Sequence, residues 1–291
     1  MSSYLKILQF YTKLIAKERL QGLYRSVFKG GSSNFKEVRL YTTGDDPRFI
    51  DWKVSARMPD QLFVKEFDFE SSLNVLLCID ISPSMLFGSQ EHSKIEIAIE
   101  LATILGLVAQ QQKERIGVIL YSDKIHSYDI PKNGLMHIFQ LKSKFEFYRQ
   151  SAGPCNLNLL LQFVRKLRCK STLLFIMTDD LTSLDNSKKN FHYSKSCDIT
   201  TFYITDPAEY SLPQVGLLSL KDLETGKCMI IDTDDSQVLK EFPSVLRDRV
   251  KTYKKILESS KVDFFEFSTK HSTLEQLIEY LQKRKSAHKR C

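Results

Sequence analysis

Asp80, Ser82 and Ser84 stand at alternate positions in the run Asp80-Ile81-Ser82-Pro83-Ser84-Met85, just beyond a stretch of apolar residues. As the chain turns away from that stretch, three oxygen-bearing side chains at this spacing can converge on one point. Two hydroxyls, with a carboxylate acting directly or through water, are what a hard divalent cation such as Mg²⁺ binds; the ion takes about six oxygens and keeps part of its water. Asp179 closes another apolar run and offers a second carboxylate. Two carboxylates offset a 2+ charge, and hydroxyl ligands leave the ion electrophilic toward an acidic group from outside. A simpler role for the same residues is to cap the following helix. Asp179, on a separate strand end, favours the metal.

Parallel strands are what would bring these segments together. Apolar runs at 75–79, 116–121, 173–177 and 199–204 end at Asp80, Ser122, Thr178-Asp179 and Thr205-Asp206. Between them, Ile95, Ala98, Ile99, Ala102, Leu105 and Val108 predict a helix over 93–112, and a second is expected over 156–168. A short edge strand is expected over 125–130. Runs that are apolar on both faces and separated by helices are buried parallel strands. The fold class expected is therefore α/β, a doubly wound and mostly parallel sheet. In such sheets the strand ends share one rim, and ligands bind there.

Further along, the runs 215–220 and 228–231 flank Glu224-Thr225-Gly226-Lys227 and predict a β-hairpin, followed by a polar helix over 236–258, a strand over 262–267 and a helix over 272–284. At the other end, Leu5, Leu8, Tyr11, Ile15 and Leu20 predict an amphipathic helix over 4–20, docked on its own protein rather than on a membrane. Gly30-Gly31-Ser32-Ser33-Asn34 is read as a loop: it lacks the GK[ST] of a phosphate-binding turn.

Composition bounds the function classes. Hydrophobic residues at 42% and charged residues at 26% are ordinary for a soluble globular chain. The net charge of +7 includes five cations in Lys283, Arg284, Lys285, Lys289 and Arg290, which leaves the body at about +2. That pattern predicts a solvated basic tail, not a nucleic-acid-binding surface. Cys78, Cys155, Cys169, Cys197, Cys228 and Cys291 form no CxxC pair, so reduced thiols and a cytoplasmic location are expected. No signal-peptide pattern and no membrane-length apolar run stands in the sequence, although peripheral membrane contact stays open.

The segment Phe35-Lys-Glu-Val-Arg39-x-Tyr41-x-x-Gly44-Asp45-Asp46-Pro-Arg48-x-Ile50-Asp51-Trp52-x-x-x-Ala56-Arg57 interleaves arginines with aspartates. Arg39, Arg48 and Arg57 can pair with Asp45, Asp46 and Asp51, pinning this extension to the domain with Trp52 as apolar anchor. The other reading is a partner-docking element.

Asp80-x-Ser82-x-Ser84 after an apolar strand resembles the metal-ion-dependent adhesion site of von Willebrand factor A domains, and Thr178-Asp179 matches its Asp-bearing strand end. The resemblance departs at residues 153–157, Gly-Pro-Cys-Asn-Leu, where relatives carry Gly-x-Thr-Asp-Leu. Cys155 thus stands at the usual Thr position, and a thiol is a poor ligand for Mg²⁺. Thr172, which begins a strand, does not replace it. The long N-terminal motif is similar to that of a bacterial family, domain of unknown function 58, associated with MoxR-type AAA+ ATPases. Val64-Lys-Glu66-Phe67, Asp206-Pro207-Ala-Glu209 and Asp222-Leu-Glu224-Thr-Gly226 fit it too.

That resemblance implies an N-terminal extension over 1–70, a von Willebrand factor A-like domain over 71–285 with a hairpin insertion near 213–233, and a basic tail over 286–291. It implies a non-enzymatic, protein-binding adaptor or co-chaperone that works beside a MoxR-type AAA+ ATPase and a client protein, with Mg²⁺ (or Mn²⁺ or Ca²⁺) held by Asp80, Ser82, Ser84 and Asp179. The alternative is a Mg²⁺-dependent hydrolase or nuclease using Asp80 and Asp179. It would need a general base in the same cleft, and His92 and His126 stand isolated in the sequence. Binding of nucleic acid or membrane through the tail is the weakest reading.

Overall fold

The structure, a computed structural model, describes residues 18–28, 34–42, 45, 49–58, 61–68, 73–167, 171–182 and 197–288. The expected helix over 4–20 lies almost wholly outside these residues. Helix α1 (Glu18–Phe28) buries Leu20, Tyr24, Val27 and Phe28 against the main body. Next come an antiparallel ribbon of β1 (Asn34–Leu40) and β2 (Phe63–Asp68), with the short helix α2 (Trp52–Ser55) in its connection. Pattern reading missed this ribbon because its strands are rich in charge and show no apolar run.

The central sheet starts with β3 (Asn74–Asp80), whose residues after Asn74 are all buried. Helix α3 (Lys94–Gln111) crosses to β4 (Arg115–Tyr121), and β5 (Ile125–Lys132) turns back antiparallel along the edge. The helices α4 (Met136–Phe139), α5 (Leu141–Tyr148) and α6 (Leu157–Lys166) lead to β6 (Thr172–Thr178) and β7 (Cys197–Thr205). The hairpin of β8 (Leu217–Lys221) and β9 (Cys228–Asp232), helix α7 (Ser236–Ser259), β10 (Asp263–Ser268) and α8 (Thr273–His288) complete the chain.

The strand order is β10-β7-β6-β3-β4-β5, with β5 the antiparallel member and the rest parallel. β3 thus sits at the middle with parallel neighbours, and the chain winds outward from it to both sides, which is the doubly wound arrangement expected. Alternate residues of β3 feed different cores. Val75, Leu77 and Ile79 pack under α1, α3 and α8; Leu76 and Cys78 pack under α6 and α7. Each fully buried aliphatic side chain contributes about 1.5–3 kcal/mol, so the centre of the sheet is the part of the fold least free to move. Among the described residues no helix is long and apolar enough to cross a membrane.

Arg284 corrects the reading of a solvated basic tail. Helix α8 runs through it, and its guanidinium is buried against the Phe28 ring, 4.5 Å from the centroid. It pairs with Asp198 at 2.5 Å and Asp263 at 3.0 Å and donates to Thr200 and Tyr280. A cation in a basic stretch reads as solvated only when no partner is visible, and here the partners lie far away in sequence on β7 and β10. Lys283, by contrast, is exposed and paired with Glu279 one turn away. Breaking a buried ion pair costs roughly 3–5 kcal/mol; Asp198 and Asp263 are partly exposed and can rehydrate, which lowers the figure. Arg284→Met is expected to cost about 2 kcal/mol in urea unfolding, and Lys283→Met less than about 0.5 kcal/mol. Equal effects would return Arg284 to the surface.

Candidate metal centre

The carboxyl ends of β3 and β6 meet as the sequence pattern requires. Asp80, last residue of β3, is fully buried and has both oxygens engaged. Its Oδ1 accepts the backbone N–H of Ser82 at 2.9 Å, and its Oδ2 accepts the Thr178 hydroxyl at 2.7 Å. The first bond folds the loop back over the strand end; the second fastens β3 to β6. Pro83 and its 3-10 turn then aim Ser84 along the rim. The Ser82 and Ser84 hydroxyls lie 3.1 Å apart, and Ser84 Oγ donates to Asp179 Oδ1 at 2.9 Å. All four residues proposed from the sequence are thus gathered on one rim, with Asp80 behind and Ser82, Ser84 and Asp179 in front.

Three residues join them that pattern reading did not assign to the site. Lys94, the first residue of α3, is buried and pairs with Asp179 Oδ2 and, at 2.5 Å, with Glu209 Oε1. A cation at a helix N-terminus opposes the helix dipole, so its position alone was a signal that some acid demands it. Glu209 comes from Asp206-Pro-Ala-Glu209, where its other oxygen accepts the Asp206 N–H at 2.9 Å. Glu224 comes from the β8–β9 turn, its Oε1 3.4 Å from both Ser84 Oγ and the Cys155 backbone N. Both downstream motifs therefore deliver a carboxylate to the same rim.

Cys155 sits where the sequence places it. Its loop is tied down by Gly153 N–H to Asp123 Oδ1 at 3.0 Å and Asn156 N–H to Ser122 O at 3.1 Å. A β-carbon at Gly153 would lie 2.7 Å from Asp123 Cγ, so the close approach requires glycine. The thiol faces Thr178 Oγ1 at 3.6 Å. Burial, with Asp80 beside it, pushes the thiol well above its ordinary range. That shift disfavours the thiolate, the form that ligates metals and attacks electrophiles.

Negative charge exceeds positive here. Burial, then the nearby Asp179 carboxylate, pushes Asp80 up to about 7, against the hydrogen bonds from Thr178 and Ser82. Burial and the Asp179 and Asp180 charges raise Glu224, against the Cys155 N–H. Burial works against the Lys94 ammonium, but Asp179 and Glu209 outweigh it and hold its pKa above the usual lysine range. Next to this group, Asp206 braces the rim. It is buried and accepts the Ser89 N–H at 2.9 Å, the Ser89 hydroxyl at 2.5 Å, the Ala208 N–H at 2.9 Å and the Thr269 hydroxyl at 2.6 Å. Burial opposes its charge; the donors outweigh burial and hold the carboxyl below its usual value.

The N-terminal motif's described contacts lie within the motif itself and along β2. Arg39 and Asp45 form a two-pronged pair, both bonds 2.8 Å, and the Arg39 bonds hold the Asp45 carboxyl below its usual range. Asp51 caps α2 by accepting from the N–H groups of Lys53 and Val54 and lies 3.5 Å from Lys65. Asp46 and Arg48 lie outside the described residues. Arg57 is exposed. Trp52 is 67% exposed, which corrects its reading as an apolar anchor; the short helix α2 points the indole outward and buries Ser55 instead.

A doubly wound sheet with Asp-x-Ser-x-Ser at its central strand end defines a module of von Willebrand factor A type. The chain belongs to the family described as protein of unknown function DUF58, which matches residues 37–252. It is 23% identical over 220 residues to the uncharacterized protein Rv1480 of Mycobacterium tuberculosis, covering 74% of this chain and 69% of that protein. The fold is similar to BatB from Bacteroides thetaiotaomicron (13% identity, 74% of this chain, 99% of that one, TM-score 0.46). It is also similar to the SpRpn10 VWA domain (10% identity, 71% of this chain, 93% of that one, TM-score 0.40). These likenesses are distant, and the fold class rests on the strand order.

Two outcomes follow from the rim's electrostatics. Lys94→Met leaves buried Asp179 without its cation and is expected to lower stability by about 3 kcal/mol in urea at neutral pH; a loss under about 1 kcal/mol would mean the ammonium is dispensable. Asp206→Asn faces an amide N–H toward groups that are themselves donors and should cost about 2 kcal/mol. Because the folded pKa of Asp206 is depressed, its stabilisation is fully present above the unfolded value of about 3.9 and is lost as pH falls through the folded value. The wild-type advantage should therefore be constant near pH 7 and shrink below about pH 4; a pH-independent gap would remove the charge from the explanation.

Proposed function

We propose that this protein is a non-enzymatic, protein-binding adaptor whose rim holds Mg²⁺ (or Mn²⁺ or Ca²⁺) and offers it to an acidic group of a partner. The observation that carries the reading is the spacing around Ser84 Oγ: 3.1 Å to Ser82 Oγ and 2.9 Å to Asp179 Oδ1. Neighbouring oxygens on an octahedral Mg²⁺ lie about 3 Å apart, a spacing that both of these contacts match. Ser82, Ser84 and Asp179 would hold it, and Asp80 would support them from behind. The ion would supply a positive charge with places open to outside oxygens. Among the described residues no three His, Cys, Asp or Glu side chains form a ready metal cluster. Such a site would depend on hydroxyls and water, as a hard cation permits.

The charge balance supports the same reading. Asp179 and Glu209 share the one Lys94 ammonium, with Asp80 and Glu224 close to Asp179, and a dication would offset the surplus. Next to the rim lies a cleft of about 220 Å³ lined by Asp179, Tyr203, Glu209, Phe242, Leu246 and Arg249. The partners in this reading are a MoxR-type AAA+ ATPase and its client, and the setting is the cytoplasm.

The hydrolase or nuclease reading finds little support in the side chains. Burial disfavours the Cys155 thiolate that a nucleophilic role would need. Ser122 Oγ lies 2.7 Å from His126 Nε2 but is also placed to donate to Asp123 Oδ1 at 2.8 Å. Burial lowers the His126 pKa, and the ring packs on Tyr148.

Titration of the purified MoxR-type ATPase of the same host against this protein tests the proposal. In Mg²⁺ binding is expected, with at least a tenfold loss in EDTA or in Asp179→Asn, a change of about 1.4 kcal/mol or more. Equal binding in every condition would keep the adaptor and discard the ion. No binding at all would discard the ATPase. Phosphoester turnover by the pure protein, abolished in Asp179→Asn, would replace the adaptor with an enzyme.

A further inference from the structure

We infer that Glu224 is a ligand of this centre, supplying the hard oxygen that Cys155 cannot. The inference rests on the metal reading above and names a residue that the Asp-x-Ser-x-Ser pattern does not contain. Glu224 Oε1 lies 3.4 Å from Ser84 Oγ, close to the edge of about 3 Å between neighbouring ligands of a six-coordinate ion. The same oxygen lies 3.4 Å from the backbone N of Cys155. It therefore stands against the loop that, by the resemblance to von Willebrand factor A domains, would have carried a hydroxyl ligand. Ser84 Oγ becomes the hub of three oxygens: Ser82, Asp179 and Glu224.

The local sequence explains how one side chain from a surface hairpin holds this place. Asp222 Oδ1 accepts the N–H of Glu224 at 2.9 Å, and its Oδ2 accepts the Thr225 hydroxyl at 2.6 Å. Gly226 has φ +70 and donates its N–H to Asp222 O at 2.8 Å, closing the turn. Asp222-Leu-Glu224-Thr-Gly226 is thus a rigid turn around one residue that faces inward. Leu217, Met229 and Ile230 of the hairpin strands are exposed, so its anchorage is not a packed core of its own. An isolated two-stranded hairpin is marginal in water. Carboxylate contact at the tip gives this ribbon a reason to lie over the rim.

Mn²⁺ alone is the probe, its affinity measured by paramagnetic resonance of the free ion with the full-length chain. Wild type is expected to bind, Asp179→Asn to lose binding, and Glu224→Ala to bind at least tenfold more weakly with an unchanged urea midpoint in EDTA. A lost charge would also weaken a nearby ion, so a second variant separates the causes. Cys155→Thr in the Glu224→Ala background restores a hard oxygen but no charge, and should recover much of the affinity. Glu224→Ala binding as tightly as wild type, while Asp179→Asn does not bind, would overturn the inference and leave the metal reading intact. Weak binding by Glu224→Ala without recovery in the double variant would also overturn it, reducing Glu224 to a distant charge. A wild-type protein that binds no Mn²⁺ would overturn both.

Discussion

The hydrogen bond from Thr178 to buried Asp80, 2.7 Å long, is the constraint on which the rim depends. It joins the ends of the two central strands at the point where backbone pairing runs out. A carboxylate taken out of water costs several kcal/mol unless its oxygens are satisfied. Asp80 meets that demand with one bond to each neighbouring segment, Thr178 on β6 and the Ser82 N–H of its own loop. The loop direction, the Ser84 orientation and the distance to Asp179 all follow from those two bonds.

Around that fixed point the protein gathers acids and the buried ammonium of Lys94. Lys94 reaches two carboxylates from the first turn of α3, a position the helix dipole disfavours and the acids more than compensate. Asp206 does comparable work one strand further out, where four donors from three segments converge on one carboxylate. The rim is thus built from charges held by hydrogen bonds, while the strands beneath are held by apolar burial. The two kinds of cohesion meet at the last residue of each strand.

Hard-ligand chemistry also makes sense of the cysteine. Burial and the neighbouring Asp80 disfavour the Cys155 thiolate, and a neutral thiol is a poor ligand for a hard cation. The loop is still fastened, through Gly153 to Asp123 and through Asn156 to Ser122, and its backbone N–H faces the Glu224 carboxylate. Position and chemistry have separated here: the loop holds its place on the rim, and the side chain it presents there is a soft thiol.

The apolar runs, their helical spacers and their polar ends determined the doubly wound sheet and the juxtaposition of Asp80, Ser82, Ser84 and Asp179, because parallel strands joined by helices must end on one rim. Periodicity is a local property, and it was legible in the chain. The charged ribbon of β1 and β2 was not, since its stability comes from pairing rather than from an apolar pattern. Nor was the burial of Arg284, whose partners Asp198 and Asp263 lie on strands far away in sequence. Trp52, the sole tryptophan, read as an anchor and proved exposed, because a hydrophobic side chain carries no information about which way its helix faces. Only the tertiary structure brought Lys94, Glu209 and Glu224 to the rim. Charge partnership acts through space, so a residue 140 positions from Ser84 can stand 3.4 Å from it without leaving a trace in the spacing.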